Sequence, residues 1–236
     1  GVRLSRLSAR GKAGFLLAIL GALFGPRPDL VVCTHIHLLP FAALLKRRWR
    51  ARLLLVIHGV EVWQRPRRFG LDRALAAVDW VFAVSAYSKA KLLAWAPLEQ
   101  SRVQVQPCCV DLSAFQPGEK DAALLRRYGL ESRRVLLVVA RLSSAQRSKG
   151  GDQVLELLPE LTAEMPELVF AVAGKGDDSA RLEAKAEALG IADHVRFLGY
   201  VAEGDKPALY RSADAFVLAS RGEGFGIVLL EAAASG

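Results

Sequence analysis

Residues suited to binding a phosphorylated substrate follow the apolar runs of this 236-residue chain. Arg141 comes directly after the run Val135 to Ala140, and Lys149 stands just before a helical pattern that opens at Asp152. A cation at a strand end and a second cation beside a helix N-terminus can together hold the two phosphates of a diphosphate. These residues suggest a diphosphate site in the second half of the chain, with ordinary surface cations as the alternative.

A segment near the C-terminal end of the sequence offers a second site for an anion. Glycines flank Phe225 where an apolar helical pattern begins, and the N–H groups at such a start are free and lie at the positive end of the helix dipole. Glu223 stands before this helix and Glu231 lies inside it among apolar residues. Because a buried carboxylate needs a hydrogen-bond partner, the adjacent hydroxyls of a ribose would suit Glu231. An ordinary exposed glutamate, the alternative, is disfavoured by the apolar surroundings.

Two further strand ends carry weaker signals. His58 follows the run Arg52 to Ile57, where a single histidine is either a site residue or a hydrogen-bonded structural one. Gly174 and Gly176 follow the run Leu168 to Ala173, with the spacing that begins a dinucleotide fingerprint. The third glycine of that fingerprint is missing and no following strand ends in an acidic residue, so we expect no NAD site. The glycines mark either a backbone that approaches a ligand or a plain tight turn.

Short apolar runs alternate with helical patterns along the whole chain, which predicts an α/β fold. The runs are rich in Val, Leu and Ile with little polar alternation, as is typical of parallel strands covered on both faces. Open α/β sheets bind ligands outside the carboxyl ends of their strands, where the residues above lie. The predicted strands are Leu30 to Cys33, Arg52 to Ile57, Trp80 to Val84, Val103 to Gln106, Val135 to Ala140, Leu168 to Ala173, Val195 to Leu198 and Ala215 to Ala219. The predicted helices are Leu71 to Ala77, Ser88 to Trp95, Asp121 to Tyr128, Asp152 to Glu164, Ser179 to Leu189 and Lys206 to Ser212.

One passage without a periodic pattern, Pro107 to Gly118, is the predicted linker between two domains, residues 1–112 and 113–236. The net charge of +8 is divided unevenly between them: residues 1–112 hold 17 basic and 6 acidic side chains, and residues 113–236 hold 15 and 18. The basic half is either a solvated face or the surface for an anionic partner, which could be nucleic acid, an acidic membrane surface or a phosphorylated substrate. Its basic residues are interleaved with core-like runs and no RNA-binding aromatic motif appears, so we expect no nucleic acid.

The first residues of the chain provide information about where in the cell the protein is found. Phe15 to Phe24 is apolar but shorter than the ~20 residues that span a bilayer. The basic stretch Gly1 to Arg10 before it leads into no cleavage site, so export is not predicted. Together with the basic cluster Lys46 to Arg52 around Trp49, the apolar run could instead lie on anionic lipid. We expect a cytoplasmic protein with peripheral attachment to the inner face of the plasma membrane.

The cysteines and two histidines could suggest other chemistry. Cys33, Cys108 and Cys109 form no CxxC motif and no disulfide framework, which favours a reducing compartment. The adjacent pair Cys108 and Cys109 lacks further ligands at metal-binding spacing. His35 and His37, at a strand end, likewise lack a nearby third ligand, so we expect a loop and no metal site there.

Several short motifs follow one another in a fixed order. They are HGxE (His58 to Glu61), VSxxSK (Val84 to Lys89), VARL…KGxD (Val138 to Asp152), AGxG (Ala173 to Gly176), FLGYV (Phe197 to Val201), ADAFVLAS (Ala213 to Ser220) and EGFGxxxxE (Glu223 to Glu231). This order resembles that of GT-B glycosyltransferases of family 4 over nearly the whole chain. The resemblance implies two Rossmann-like parallel-sheet domains, both truncated, and hence an internal fragment with weak activity or none. Where the family usually has Pro-Asn-Gly-Val-Asp, this chain has Pro107-Cys108-Cys109-Val110-Asp111, which leaves the geometry of the linker open.

The resemblance also implies a role for each motif. Arg141 and Lys149 would bind the donor diphosphate in place of a divalent ion, so the site is expected to be independent of metal. Glu231 would hold the donor ribose, and His58 would lie near the reacting carbon. The resemblance further implies that the sugar and phosphates are contacted by Glu223, Gly224, Phe225, Gly226 and Ile227. The donor would also be contacted by Gly174 and Gly176, and its base by the backbone at Tyr200 and Val201. In the first half, Ser85 and Lys89 would contact phosphate or acceptor.

The function implied by the resemblance is transfer of a hexose from an NDP-sugar to a saccharide or lipid-linked acceptor, with retention of configuration and no cofactor. Such a reaction belongs to the synthesis of cell-surface polysaccharide or glycolipid. Two alternatives stay open: an NDP-sugar epimerase of the same architecture, for which only His58 and Glu61 offer an acid and a base in the first half, and a non-catalytic binder of anionic surfaces.

Overall fold

The computed structural model describes residues 11–236 and divides into two compact units, of which the first ends at Cys108 and the second begins at Cys109. This division falls inside the segment predicted as a linker, where the sequence placed the boundary after residue 112. Residues 1–10, the basic stretch discussed above, lie outside the described residues.

The first unit is a four-stranded parallel sheet covered by helices. In chain order it contains α1 (Gly11–Ala22), β1 (Leu30–Cys33), α2 (Leu39–Trp49), β2 (Arg52–Ile57), α3 (Val60–Trp63), α4 (Leu71–Ala76), β3 (Trp80–Ala83), α5 (Ala86–Leu93) and β4 (Val103–Val105). The strands pair in the order β1-β2-β3-β4. Leu53, Leu55 and Ile57 of β2 are fully buried and form the centre of the core.

The second unit has the same architecture with a different strand order. It contains α6 (Ala122–Arg127), β5 (Arg134–Val139), α7 (Gly151–Glu164), β6 (Leu168–Ala173), α8 (Ser179–Ala188), β7 (Val195–Gly199), α9 (Lys206–Ser212), β8 (Ala215–Phe216) and α10 (Ile227–Ala234). The strands are parallel and pair in the order β7-β6-β5-β8. All six residues of β6 are buried, as predicted for a strand covered on both faces. The α/β class and the two parallel-sheet domains are confirmed.

Several elements differ from the sequence-based expectation, in most cases by one or two residues at an end; α3 was not predicted, and three differences are informative. Helix α2 was not predicted, because its basic C-terminal turn interrupts the apolar period, yet it buries Leu39, Ala42 and Trp49. Helix α5 begins two residues before the predicted Ser88, because Ser85 caps it and Ser88 is buried. Strand β8 pairs with β5 at only two positions, so this edge strand is shorter than the run Ala215 to Ala219.

An aspartate fixes the start of β3 against β2 in the first unit. The backbone N–H of Leu53 donates to Asp79 Oδ2 at 2.7 Å, and the N–H of Asp79 donates to the carbonyl of Leu53 at 2.9 Å. Lys46 of α2 donates to the same carboxylate at 2.5 Å and to the carbonyl of Ala77 at 2.6 Å. The carboxylate therefore joins two strands and a helix.

The second unit repeats this arrangement at the start of β8. Asp214 Oδ2 accepts from the N–H of Val135 at 2.8 Å, its own N–H donates to the carbonyl of Val135 at 2.9 Å, and Lys120 donates to Oδ1 at 2.8 Å. In each unit an aspartate one residue before a strand thus pairs with the second residue of the neighbouring strand and with a lysine. No repeat was recognised from the sequence.

Among the described residues, no helix combines the length and the apolar character that are needed to cross a bilayer. Helix α1, which includes part of the run Phe15 to Phe24, is 12 residues long.

We predict that Asp79→Asn destabilises the first unit by about 1.5–3 kcal/mol, because a largely buried carboxylate loses charge-assisted hydrogen bonds. Burial opposes ionisation of Asp79, but the hydrogen bonds from Lys46, Leu53 and Arg52 outweigh it and lower its pKa below the ordinary 3.8. Its contribution to stability is therefore present above about pH 4 and lost as the pH falls further. Denaturant unfolding followed by tryptophan fluorescence reports this unit, since all four tryptophans lie in it.

The matched control is Asp72→Asn, which removes an exposed aspartate that pairs with Arg65 in the same unit. This exposed pair contributes little. Equal losses of stability in the two variants would contradict the prediction.

Candidate functional site

A cavity of about 340 Å³ lies at the carboxyl ends of β5 and β6 in the second unit. It occupies the place at which open α/β sheets bind their ligands. Four of the residues predicted to contact the donor, Arg141, Gly174, Tyr200 and Val201, line it. The other lining residues are Val139, Ala140, Ala173, Lys175, Glu203, Lys206 and Val228. Three strand ends and helices α9 and α10 thus contribute to one cavity.

Lys149 and Glu223 form an ion pair in this unit. Lys149 Nζ lies 2.6 Å and 2.7 Å from the two carboxylate oxygens of Glu223, and both side chains are about three-quarters buried. Sequence analysis predicted that Lys149 binds phosphate and that Glu223 binds the sugar, but it did not predict a contact between the two side chains. A lysine has three N–H donors, so one remains for a further acceptor.

The segment that carries Lys149 is held in place from several sides. Asp177 accepts hydrogen bonds from the N–H and the hydroxyl of Ser144, and the N–H of Arg221 donates to the carbonyl of Ser148 at 2.9 Å. Gly150 has a φ of 88° and touches the backbone of Ala219 so closely that an added Cβ would overlap its carbonyl. The position of the lysine is therefore set before any ligand binds.

A partly buried network of charged side chains adjoins the same segment, and sequence analysis did not identify it. Arg181 of α8 donates to Asp152 of α7 at 2.7 Å and to Asp178 at 2.6 Å and 2.8 Å. The hydrogen bonds from Arg181 are the largest cause that holds the pKa values of both carboxyls below their usual range. Arg147 lies 3.3 Å from Asp178, so the network also anchors the turn before Lys149. Only the pair Asp178 and Arg181, three residues apart, is local in sequence; Asp152 of α7 and Arg147 before it are distant from Arg181, so no sequence signal joined them.

The glycine turn after β6 packs against the loop after β5. A Cβ at Gly174 would overlap the carbonyl oxygen of Ala140, and one at Gly176 would overlap that of Leu142. Gly174 also has a φ of 151°. The close backbone approach that these glycines permit is thus made to protein backbone, and their contact with the donor stays a prediction.

Glu231 is 8% exposed and accepts a hydrogen bond from the hydroxyl of Tyr210 at 2.7 Å. The sequence predicted that this buried carboxylate needs a hydrogen-bond partner; the protein supplies one to Oε2, and the contact of Glu231 with a donor ribose stays a prediction. Helix α10, which carries Glu231, begins at Ile227 after Gly226 in the left-handed conformation, with a φ of 84°. Val228, one turn before Glu231 on the same helix, lines the cavity.

In the first unit, His58 is exposed at the end of β2. Its ring Nε2 lies 3.0 Å from the carbonyl oxygen of Thr34, and its backbone N–H donates to the carboxylate of Glu61. Gly59, with a φ of 149°, follows it and precedes α3. Glu61 therefore stabilises the turn that presents the histidine.

Ser85 and Lys89 lie at the start of α5. The Ser85 hydroxyl accepts from the N–H of Ser88 at 3.2 Å, so this serine caps the helix. Lys89 lies on the same first turn and is partly buried. His35 and His37 stack with ring centroids 5.1 Å apart after β1. In residues 11–236 no three His, Cys, Asp or Glu side chains come together as a metal site.

Comparison with known proteins decides the family. The family model described as "Glycosyltransferase Family 4" matches residues 2–114, and the one described as "Glycosyl transferases group 1" matches residues 124–236. The chain belongs to the family 4-like glycosyltransferases of the GT-B fold.

Curated glycosyltransferases are similar over most of the chain. A GDP-mannose-dependent alpha-(1-6)-phosphatidylinositol monomannoside mannosyltransferase from Mycolicibacterium smegmatis is 33% identical over 205 residues, which cover 82% of this chain and 52% of that protein. A D-inositol 3-phosphate glycosyltransferase from Geodermatophilus obscurus is 34% identical over 214 residues, which cover 82% and 47%. This glycosyltransferase chain thus spans about half the length of the curated relatives it matches.

Solved structures share the fold. HepE from Anabaena, in complex with UDP and glucose, matches with a TM-score of 0.75 and 20% identity over 95% of this chain and 61% of that one. Sucrose-phosphate synthase from Thermosynechococcus elongatus matches with a TM-score of 0.70 and 19% identity over 98% and 60%. The GT-B architecture implied by the sequence motifs is confirmed.

We predict that Gly174→Ala destabilises the second unit by about 1–3 kcal/mol or more. The substitution combines an unfavourable φ with an overlap against Ala140. Hydrogen exchange of the β5 and β6 amides measures the effect in this unit. Gly204→Ala, at a surface glycine with open space around its Cα, is the control and should change protection little. Unchanged protection in Gly174→Ala would overturn the packing role of this glycine.

Proposed function

We propose that the protein is a retaining glycosyltransferase that moves a hexose from an NDP-sugar to a saccharide or lipid-linked acceptor in the synthesis of cell-surface glycolipid or polysaccharide. The observation that carries the proposal is the cavity at the carboxyl ends of β5 and β6, which has Arg141 at its wall. The mannosyl- and glycosyltransferase relatives and the UDP complex of HepE support a nucleotide-sugar donor.

In the proposed reaction the C1–O bond to the diphosphate breaks while the acceptor oxygen bonds to C1 on the same face of the sugar. The acceptor proton passes to the departing phosphate. Negative charge grows on the diphosphate as the bond breaks, and fixed cations stabilise that charge more than they stabilise the substrate. Arg141 and Lys149 fill this role, with Glu223 holding Lys149 and contacting the sugar. No divalent ion takes part.

We propose guanine as the base of the donor. The wall of the cavity combines the Glu203 carboxylate with the Lys206 ammonium, which lie 2.7 Å apart. Guanine carries adjacent N–H donors that suit a carboxylate and an O6 acceptor that suits a lysine. Uracil lacks this pair of adjacent donors. The GDP-mannose dependence in the name of the M. smegmatis relative agrees with this choice.

For the acceptor side we propose attachment to the anionic cytoplasmic face of a membrane. Leu17 and Leu20 of α1 and Phe24 beyond it are exposed, Phe24 by 86%. A second cavity, in the first unit, is lined by Gly25, Arg27, Arg48, Trp49 and Arg50. Apolar side chains beside arginines are the combination that binds anionic lipid surfaces. A lipid-linked acceptor would then meet the enzyme at that surface.

Calorimetric titration in the presence of EDTA tests the donor assignment. We expect GDP to bind more tightly than UDP, and Glu203→Gln to weaken GDP binding roughly tenfold while leaving UDP binding unchanged. Arg141→Ala should weaken both ligands equally, because it acts on the diphosphate. Glu187→Gln, on the exposed face of α8, is the control. Equal binding of GDP and UDP would refute guanine, and absence of binding by either would refute the proposed function.

Flotation with vesicles tests the membrane proposal. Binding should require anionic lipid, and Arg48→Ser should weaken it about fivefold, since one basic residue near an anionic surface contributes ~1 kcal/mol. Phe24→Ser should also weaken binding, whereas Phe69→Ser, at a fully exposed phenylalanine elsewhere in the unit, should not. Binding that is independent of anionic lipid would rule out the electrostatic part of the proposal.

A further inference from the structure

The hydroxyl of Tyr210 lies 2.7 Å from Glu231 Oε2, and the two side chains are 5% and 8% exposed. Among residues 11–236 no hydrogen bond to the other carboxylate oxygen, Oε1, is formed, and this oxygen is not among the buried unpaired atoms, so it remains accessible. One oxygen of a nine-tenths buried carboxylate is thus occupied by the protein, and the other is available to a ligand. Such a carboxylate is costly to bury unless its acceptors are used.

The tyrosine itself is firmly held. Its ring packs edge-on against Phe115, with ring centroids 5.9 Å apart. It also packs, in a tilted arrangement, against Phe216, with ring centroids 5.6 Å apart. Burial, together with the hydrogen bond and the charge of Glu231, raises the pKa of Tyr210 well above its ordinary value, so the hydroxyl keeps its proton. Since the ring is fixed, the direction of the O–H donor is fixed as well.

Helix α9 connects this tyrosine to the cavity. Lys206, which lines the cavity, lies one turn before Tyr210 on α9. Val228, which also lines the cavity, lies one turn before Glu231 on α10. The hydrogen bond between Tyr210 and Glu231 therefore locks the two helices together beside the wall at which a nucleoside would bind.

We propose that Tyr210 is a positioning residue: it holds Glu231 in the one rotamer that presents Oε1 to the hydroxyls of the donor ribose. This proposal rests on the proposed nucleotide-sugar donor and deepens it. A carboxylate whose rotamer is fixed in advance loses little entropy on binding, so its hydrogen bond to a ribose hydroxyl is realised in full. Without the tyrosine the carboxylate can rotate or protonate, and the ribose contact weakens.

The preference for ribose over deoxyribose measures this contact and is insensitive to a general loss of stability. GDP and 2′-deoxy- and 3′-deoxy-GDP are titrated against the whole chain, and UDP with its deoxy analogues is run in parallel in case the base differs. We expect wild type to prefer the ribonucleotide about tenfold over at least one deoxy analogue, as a hydrogen bond to a charged group allows. Tyr210→Phe should reduce that preference to about twofold and leave the binding of the deoxynucleotide nearly unchanged.

Glu231→Gln should also lose the preference, and Tyr210→Phe added to it should have no further effect on the preference. Tyr128→Phe, at a partly buried tyrosine of the same unit outside the cavity, is the control and should keep the full preference. If Tyr210→Phe keeps the preference of wild type, the positioning role is wrong even where the variant is less stable. If wild type binds nucleotides without a preference for ribose, the role of Glu231 fails as well. If wild type binds none of them, the proposed function fails together with this inference.

Discussion

The second unit depends on the pairing of β5 with β6 over their whole length, from Arg134 opposite Leu168 to Val139 opposite Ala173. Because β6 is buried on both faces, neither strand can shift without exposing core residues. The loops that follow both strands therefore begin at fixed points. Arg141 lies in the loop after β5, and Gly174 lies in the loop after β6. The glycine packs against the carbonyl of Ala140, so the two loops are in contact. The cavity exists because these two loops start side by side and cannot move apart.

In the second unit charged side chains are arranged in pairs, of which Glu203 and Lys206 line the cavity. Glu223 holds Lys149, and Glu203 holds Lys206. Arg181 joins Asp152 and Asp178 in the same unit. A cation that is already oriented by a carboxylate needs little reorganisation when charge develops on a leaving group, and this kind of preorganisation is the main source of electrostatic catalysis. The acidic net charge of this half is consistent with the arrangement, because its carboxylates pair with Lys149, Lys206 and Arg181.

The sequence revealed the strands better than the site. Buried strands are continuous apolar runs, so Leu30–Cys33, Arg52–Ile57 and Leu168–Ala173 were predicted with their observed ends. The residues near the cavity could be predicted because strand ends of a parallel sheet meet at one edge. Contacts between elements could not be predicted, because their residues are distant in sequence. Lys149 and Glu223 are 74 residues apart, and Tyr210 and Glu231 lie on different helices. Ser85 is the opposite case, since a serine before a helix is a local capping signal that sequence analysis did not use; its contact with phosphate or acceptor stays a prediction.

Helix α9 relates recognition of the nucleoside to the integrity of the fold. Lys206 opens it at the cavity, Tyr210 binds Glu231 one turn later, and Ser212 at its end accepts from the N–H of Asp121 at 3.0 Å. Two residues further on, Asp214 joins β8 to β5. One short segment thus connects the cavity wall with the hydrogen bonds between Asp214 and Val135 that join the edge strand β8 to β5. Displacement of the helix would therefore disturb the proposed ligand contacts and the sheet pairing together. Substitution of Lys206 alone would instead change the preferred base of the donor and leave the hydrogen bond between Tyr210 and Glu231 intact. Under the proposed assignment, selectivity for the donor base can in this way vary while the proposed diphosphate and ribose contacts are kept.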